Sequence, residues 1–220
     1  MIQLNNFEAV IFDMDGVLID SEPLWKIAME EVFSSFGSKL KKEDFQKTVG
    51  LRIDEVIHYW NLQENWGITD ESEVEEAIIV KMEALIAANP YPLAGVIETL
   101  HYLKSKKIPI GLATSSSSRL IKIVLDSLAI KPLFNFFHSA EMEQYGKPHP
   151  AVYLTVAKKL SVLPEKCLVI EDSLNGIISA KAAKMKAVCI PEKTHLIEPR
   201  LILADYQFES MTDFLKIIQS

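Results

Sequence analysis

The second half of the chain alternates short apolar runs with amphipathic segments, and this alternation constrains the fold more than any other feature. Strands are predicted over residues 108–114, near 136, over 167–170 and over 187–190. Helices are predicted from 95 to 107 and over 117–128, 150–160 and 174–183. Strands that alternate with helices form βαβ crossovers. The pattern therefore predicts an α/β fold with a mostly parallel sheet and helices on both faces.

One strand stands apart from the others, near the start of the chain. Residues 7–12 form a short run of β-formers that stops abruptly at Asp13. Helical spacing begins after Ser21, a typical N-cap residue, and Pro23, which fits a first helical turn. Helices are predicted from 21 to 37 and over 52–63 and 72–88. We therefore predict that residues 21–90, termed the helical segment below, are inserted in a core made of 1–20 and 91–220.

Composition and charge exclude several functions. The 220 residues carry 23 basic and 30 acidic side chains, a net charge of −7, so the chain has no general attraction for nucleic acid or anionic membranes. A bound anion would need a local positive site. The first apolar stretch is broken at Asp13 and Asp15, which predicts neither a signal peptide nor a membrane span. Cys167 and Cys189 lie in apolar runs, which predicts buried, reduced thiols and a cytoplasmic protein.

Two carboxylates follow the first strand. Asp13 and Asp15 lie two residues apart at its end, just before Gly16, which permits a sharp turn. Asp-Gly pairs are common in plain turns, but two like charges beside a buried strand repel each other unless a cation or a proton offsets them. Ligands of such sheets bind beyond the carboxyl ends of the strands. We therefore predict that Asp13 attacks an electrophile, while Asp15 protonates the leaving group and then takes a proton from water.

Polar groups that suit an anion follow two later strands. Thr114, Ser115 and Ser116 stand between a strand and a helix. N-capping would use one or two such hydroxyls, and a helix N-terminus can also bind an anion. Lys147, between a glycine and a proline, is either a solvated surface lysine or a fixed charge held against a phosphate. Spacing alone leaves these alternatives open.

A second pair of carboxylates, Glu171 and Asp172, ends the strand predicted at 167–170. Acidic residues at a helix start often serve only as caps and as partners of the helix dipole. Two strand ends that each carry a carboxylate pair are harder to explain in that way. Oxygen ligands in small number are what Mg²⁺ prefers, so the pattern favours magnesium over zinc.

Four motifs, taken in order, resemble those of the haloacid dehalogenase superfamily. They are Phe12-Asp13-Met14-Asp15-Gly16-Val17, Ala113-Thr114-Ser115-Ser116, Gly146-Lys147-Pro148 and Glu171-Asp172-Ser173. The match covers essentially the whole chain, and the helical segment stands where that superfamily places its C1-type helical cap. Within the superfamily, the chain resembles the branch of sugar phosphatases and β-phosphoglucomutases. Residues 18–25, 49–54 and 171–176 resemble hexitol phosphatases most closely. The resemblance implies a Rossmann-like core with an inserted all-helical cap.

The resemblance also assigns catalytic roles to matched positions. Asp13 is expected to be the nucleophile that forms an aspartyl-phosphate, and Asp15 the general acid and base. Thr114 and Lys147 are expected to bind the phosphate charge. Further residues are assigned to phosphate or substrate binding, namely Ser115, Ser116 and Asn175.

Metal and substrate ligands are implied in the same way. Mg²⁺ is expected on Asp13, on Asp172, on the backbone carbonyl of Asp15 and on Glu171 beside them. Arg52 matches an arginine that reaches the substrate in the mutase branch, and it is therefore predicted to bind substrate.

The implied activity is magnesium-dependent hydrolysis of small sugar or sugar-alcohol phosphates, of the hexitol phosphate or 2-deoxyglucose 6-phosphate type, by a monomer. Two alternatives stay open. A β-phosphoglucomutase-like mutase is disfavoured because Trp25 stands where the mutase has a cap-hinge histidine. A non-catalytic module that binds sugar phosphates is disfavoured because a binder has no need of the nucleophile Asp13.

Overall fold

A six-stranded parallel sheet forms the centre of the computed structural model, which describes residues 2–41, 43–191 and 198–220. The strand order is β3-β2-β1-β4-β5-β6, and every pair of neighbours is parallel. The strands are β1 (Ala9–Phe12), β2 (Ile110–Thr114), β3 (Phe136–Ser139), β4 (Cys167–Glu171), β5 (Lys186–Cys189) and β6 (Tyr206–Gln207). The predicted α/β class and its parallel sheet are confirmed.

Helices cover both faces of this sheet. They are α4 (Val96–Ser105), α5 (Ser118–Ser127), α6 (Ala151–Leu160), α7 (Leu174–Ala182) and α8 (Met211–Gln219). Side chains of a strand alternate between faces, so Val10 and Phe12 of β1 pack in one apolar cluster while Ala9 and Ile11 pack in the other. Burial on both faces explains why the central strands read as continuous apolar runs and lack an alternating pattern.

Two elements near the end of the chain were not predicted, β6 and α8. β6 has only two residues, too few for a periodic signal. α8 does carry a signal, since the hydroxyl oxygen of Ser210 accepts from the backbone N–H of Asp213 in the first helical turn.

The helical segment contains α1 (Glu22–Ser34), α2 (Ile53–Glu64) and α3 (Ser72–Ala88), and every regular element among its described residues is a helix. The chain enters and leaves it side by side, since the N–H of Leu93 donates to the carbonyl oxygen of Leu18 at 2.9 Å. Arg119 of α5 donates to the carboxylates of Glu76 and Glu83 on α3. The segment thus lies against the core through charged as well as apolar contacts.

Cys167 and Cys189 are buried and unpaired, as predicted. Among the residues that the structure describes, no helix combines the length and the apolar character needed to cross a bilayer.

Candidate active site

The loops that follow β1, β2 and β4 meet at one edge of the sheet, beneath the helical segment. β1 lies between β2 and β4, so the strand order reverses there and opens a crevice. The cleft between core and helical segment has a volume of about 730 Å³ with its open mouth included. Its lining includes the predicted site residues Asp13, Asp15, Thr114, Ser115, Ser116, Lys147 and Asp172.

Lys147 is held between two carboxylates at the floor of the cleft. Its Nζ lies 2.8 Å from Oδ1 of Asp13 and 2.7 Å from Oε1 of Glu171, and it also donates to the carbonyl oxygen of Ala113. The exposed fractions are 2% for Lys147, 6% for Asp13 and 0% for Glu171. The alternative of a solvated surface lysine is therefore wrong.

Burial and charge act in opposite directions on the pKa values of this group. Burial raises the pKa of Asp13 to about 7, against the opposing effect of Lys147. Burial alone would lower the pKa of Lys147, but the carboxylates of Asp13 and Glu171 raise it above its ordinary value. Burial would raise the pKa of Glu171, but Lys147 holds it below its usual value. A charged lysine and a charged glutamate thus lie directly beside Asp13.

Glu171 is fixed in place by five donors. Its Oε1 accepts from Lys147 and from the hydroxyl of Tyr153, each at 2.7 Å. Its Oε2 accepts from the backbone N–H groups of Asp172 and Ser173 and from the hydroxyl of Ser173, each at 3.0 Å. Tyr153 was not predicted to belong to the site, because it lies within an apolar stretch of α6.

Three carboxylates could hold a metal ion. Asp13, Glu171 and Asp172 each offer an oxygen, and these atoms lie within 4.8 Å of one another. An all-oxygen donor set of this size fits Mg²⁺. Gly16 has a φ of +70°, and a Cβ there would collide with the Asp172 carboxylate, so glycine alone lets the loop after Asp15 approach so closely. The predicted metal ligands Asp13, Glu171 and Asp172 thus lie together, and their binding of Mg²⁺ stays a prediction.

Asp15 accepts hydrogen bonds from both the core and the helical segment. Its Oδ1 accepts from the hydroxyl of Ser21 at 2.5 Å and from the indole N–H of Trp25 at 3.0 Å. Its Oδ2 accepts from the hydroxyls of Ser116 at 2.6 Å and Thr114 at 3.4 Å. Ser21 stands at the N-cap position of α1, as predicted, but it does not cap the helix with its side chain. Its hydroxyl donates to Asp15 instead of accepting from a backbone N–H of the helix.

The hydroxyl groups of Ser115 and Ser117, which follow β2, make different hydrogen bonds. The hydroxyl of Ser115 donates to the carbonyl oxygen of Gly50 in the helical segment at 2.8 Å. Ser117 caps α5, where its hydroxyl oxygen accepts from the backbone N–H of Leu120. Capping thus accounts for Ser117, while Thr114, Ser115 and Ser116 line the cleft. The predicted contact of these three with phosphate stays a prediction.

Arg52 and Asn175 join the helical segment to the core. Nη1 of Arg52 donates to the carbonyl oxygens of Ala140 and Glu143 at 3.1 and 3.0 Å. Nδ2 of Asn175 donates to the carbonyl oxygen of Val49 at 2.9 Å. Neither Arg52 nor Asn175 is among the residues that line the cleft. Both side chains fasten the loop before α2 to the core, and their predicted contact with substrate stays a prediction.

The fold and the site together define a hydrolase of the haloacid dehalogenase type, with its acidic groups at the ends of β1 and β4. Residues 10–190 match the model of the haloacid dehalogenase-like hydrolase family. The chain belongs to this family, as its four motifs indicated.

Two relatives of this chain are named as phosphatases, which indicates the class of enzyme. Hexitol phosphatase B of Escherichia coli K12 is 39% identical over 206 residues, which are 93% of each chain. The phosphorylated carbohydrates phosphatase of Thermotoga maritima is 36% identical over 186 residues, 82% of this chain and 83% of its own. The predicted enzyme class, a phosphoric monoester hydrolase, is confirmed, and so is the resemblance to hexitol phosphatases.

A solved structure supports the fold. The β-phosphoglucomutase of Clostridium difficile superposes with a TM-score of 0.84 and 27% identity, over 97% of this chain and 96% of its own. The Rossmann-like fold and the branch that the motifs predicted are therefore confirmed.

Proposed function

We propose that this protein is a magnesium-dependent phosphatase that hydrolyses small sugar or sugar-alcohol phosphates through an aspartyl-phosphate on Asp13. The observation that carries the proposal is the pairing of Asp13 with the buried Lys147 at 2.8 Å, beside a second aspartate and within a cluster of oxygen donors. The names of the relatives, hexitol phosphatase and phosphorylated carbohydrates phosphatase, support the substrate class.

The first step is phosphoryl transfer to Asp13. Lys147 holds Oδ1 of Asp13, so we assign Oδ2 as the atom that attacks phosphorus. The ester P–O bond breaks as the Oδ2–P bond forms, and the leaving alkoxide takes a proton from the carboxyl of Asp15. The ammonium of Lys147 offsets the charge that gathers as a carboxylate approaches a phosphate anion.

The second step is hydrolysis of the aspartyl-phosphate. Asp15, now a carboxylate, takes a proton from a water molecule that attacks phosphorus. The bond between Oδ2 of Asp13 and phosphorus then breaks and inorganic phosphate is released. Hydrogen bonds from Ser21, Trp25 and Ser116 to Asp15 hold its carboxyl group in one orientation for both proton transfers.

Asp13 and Asp172 would hold Mg²⁺ through their carboxylate oxygens, together with the backbone carbonyl of Asp15. When bound, the ion supplies positive charge that stabilises the phosphoryl oxygens. We further propose that the helical segment acts as a cap over the cleft. Its hydrogen bonds to the core through Arg52, Ser115 and Asn175 would hold it closed and exclude bulk water during the reaction.

The proposal is tested by phosphate release from a panel of hexose, deoxyhexose and hexitol phosphates, with Mg²⁺ and with EDTA. We expect magnesium-dependent release that falls at least about 10³-fold in Asp13→Asn, because the nucleophile is lost. Asp126→Asn removes an exposed carboxylate of α5 and serves as the matched control. Release that survives in Asp13→Asn would contradict the aspartyl-phosphate. Conversion of glucose 1-phosphate to glucose 6-phosphate without phosphate release would favour the mutase instead.

A further inference from the structure

The wall of the cleft that the helical segment forms carries one charged side chain among its described lining residues. This residue is Glu22, in the first turn of α1. The wall is otherwise uncharged and mostly apolar, and Trp25, Met29 and Phe45 contribute to it. A substrate whose phosphate lies at Asp13 would extend toward this wall, where Glu22 is the one charged side chain among its described lining residues.

Negative charges outnumber positive charges among the described residues that line the cleft. The described lining residues include four carboxylates, on Asp13, Asp15, Glu22 and Asp172, and one amine, on Lys147. Lys147 and the proposed Mg²⁺ both lie at the phosphate end. A second anionic group on the substrate would therefore face Glu22, with no cation from the described lining at that end.

Two basic residues of the helical segment, Lys26 and Arg52, are paired with carboxylates and do not line the cleft. Nζ of Lys26 lies 3.7 Å from Oε1 of Glu22, and Lys26 does not line the cleft. The guanidinium of Arg52 binds both oxygens of Asp54, at 3.1 and 2.9 Å, in addition to its contacts with core carbonyl groups. Lys147 is thus the one basic side chain among the described lining residues of the cleft.

Resting on the proposed phosphatase function, we propose that Glu22 is a specificity-determining residue that selects monophosphates with an uncharged, hydroxyl-rich distal end. An ionised carboxylate only accepts hydrogen bonds, which suits the hydroxyl groups of a sugar or sugar alcohol. The same carboxylate repels a substrate that carries a carboxylate or a second phosphate in that position. The rings of Trp25 and Phe45 provide apolar surface for the C–H groups of the substrate.

The test compares two substrates that differ at one carbon. Sorbitol 6-phosphate and 6-phosphogluconate share the phosphate and four hydroxyl-bearing carbons, and they differ in a hydroxymethyl group against a carboxylate at C1. For the unmodified protein with Mg²⁺, we expect kcat/KM to be at least about tenfold higher for sorbitol 6-phosphate. Glu22→Gln removes the charge and keeps the shape, so that ratio should fall at least about fivefold. Glu30→Gln, an exposed change on the same helix, should leave the ratio unchanged.

Each outcome decides the inference. Equal kcat/KM for both substrates in the unmodified protein would overturn it while leaving the phosphatase intact. An unchanged ratio in Glu22→Gln would overturn the role of Glu22. If the unmodified protein releases phosphate from neither compound nor from the wider panel, the phosphatase proposal fails, and this inference fails with it.

Discussion

The indole N–H of Trp25 donates to Oδ1 of Asp15 over 3.0 Å, so a side chain of the helical segment holds a carboxylate of the core. An indole N–H only donates, which keeps Oδ1 of Asp15 an acceptor. We predict that Trp25→Phe, which removes the N–H and keeps a ring, lowers kcat about tenfold, since a hydrogen bond to a charged group contributes about 1.5–3 kcal/mol. Because the variant keeps an aromatic wall, KM should change less than about twofold. Steady-state kinetics on the best substrate of the panel measures both values.

The matched control is Trp66→Phe. Nε1 of Trp66 donates to Glu64 at 3.0 Å, a contact that lies within the helical segment. We expect kcat to stay unchanged in this variant. An equal loss of kcat in both variants would mean that disturbance of the helical segment, and not the bond to Asp15, causes the effect.

The buried Lys147 should matter for stability as well as for activity. Replacing it with methionine leaves the buried carboxylates of Glu171 and Asp13 without their positive partner. Breaking a buried ion pair in this way costs about 3–5 kcal/mol. We predict a fall of that size in the free energy of unfolding of Lys147→Met, measured by urea titration at pH 7, together with loss of phosphatase activity.

Lys122→Met tests whether loss of any lysine has this effect. Lys122 pairs with Asp126 at 3.3 Å on an exposed face of α5, and such pairs contribute less than about 1 kcal/mol. A fall in stability no larger for Lys147→Met than for Lys122→Met would show that desolvation of Lys147 cancels its attraction to the two carboxylates.

Asp205 should make stability depend on pH. Burial would raise its pKa, but hydrogen bonds from Lys181 and Lys186 and from the N–H of Ala187 hold that pKa below its usual value of 3.8. Such a carboxyl contributes stability above the unfolded pKa and loses it as pH falls through the lower folded value. We predict that Asp205→Asn lowers the free energy of unfolding by about 1 kcal/mol at neutral pH. The difference should shrink below about pH 4.

Urea titrations from pH 7 down to about pH 2 measure this difference at each pH. The exposed change Asp126→Asn provides the control for loss of one negative charge. If the free energies of unfolding of Asp205→Asn and the unmodified protein still differ at the lowest pH, the ionised carboxylate of Asp205 is not the source of the difference.

The two thiols should be unreactive in the folded protein. Burial raises the pKa of Cys167 and the pKa of Cys189 to about 12 each, and the thiolate is the reactive form. We predict that Ellman's reagent modifies neither thiol in native buffer and both in guanidinium. Ser105→Cys adds an exposed thiol at the end of α4 and should react at once, which checks the reagent. Rapid modification of a native cysteine would reveal local opening of the core.

Local sequence patterns predict most of the helices and strands. α3 was predicted with its observed bounds, Ser72–Ala88, because its polar start and the Asn89-Pro90 break mark both ends. The end of β1 was equally plain, since Asp13 interrupts an apolar run. β6 could not be found in this way, because two residues at the sheet edge depend on their pairing with β5. α8 begins with a capping residue, Ser210, which is a local signal for the start of a helix.

The class of fold and the polar groups at the strand ends can be predicted from sequence, because periodicity, caps and abrupt polar breaks involve only a few neighbouring residues. Which of these groups contact one another depends on how distant parts of the chain pack together. Lys147 contacts Asp13 across 134 positions of sequence, and its burial follows from that contact. Ser21 and Trp25 reach Asp15, whereas Arg52 binds core carbonyl groups, because packing of the helical segment sets where each side chain lies. Such long-range contacts have no local signature.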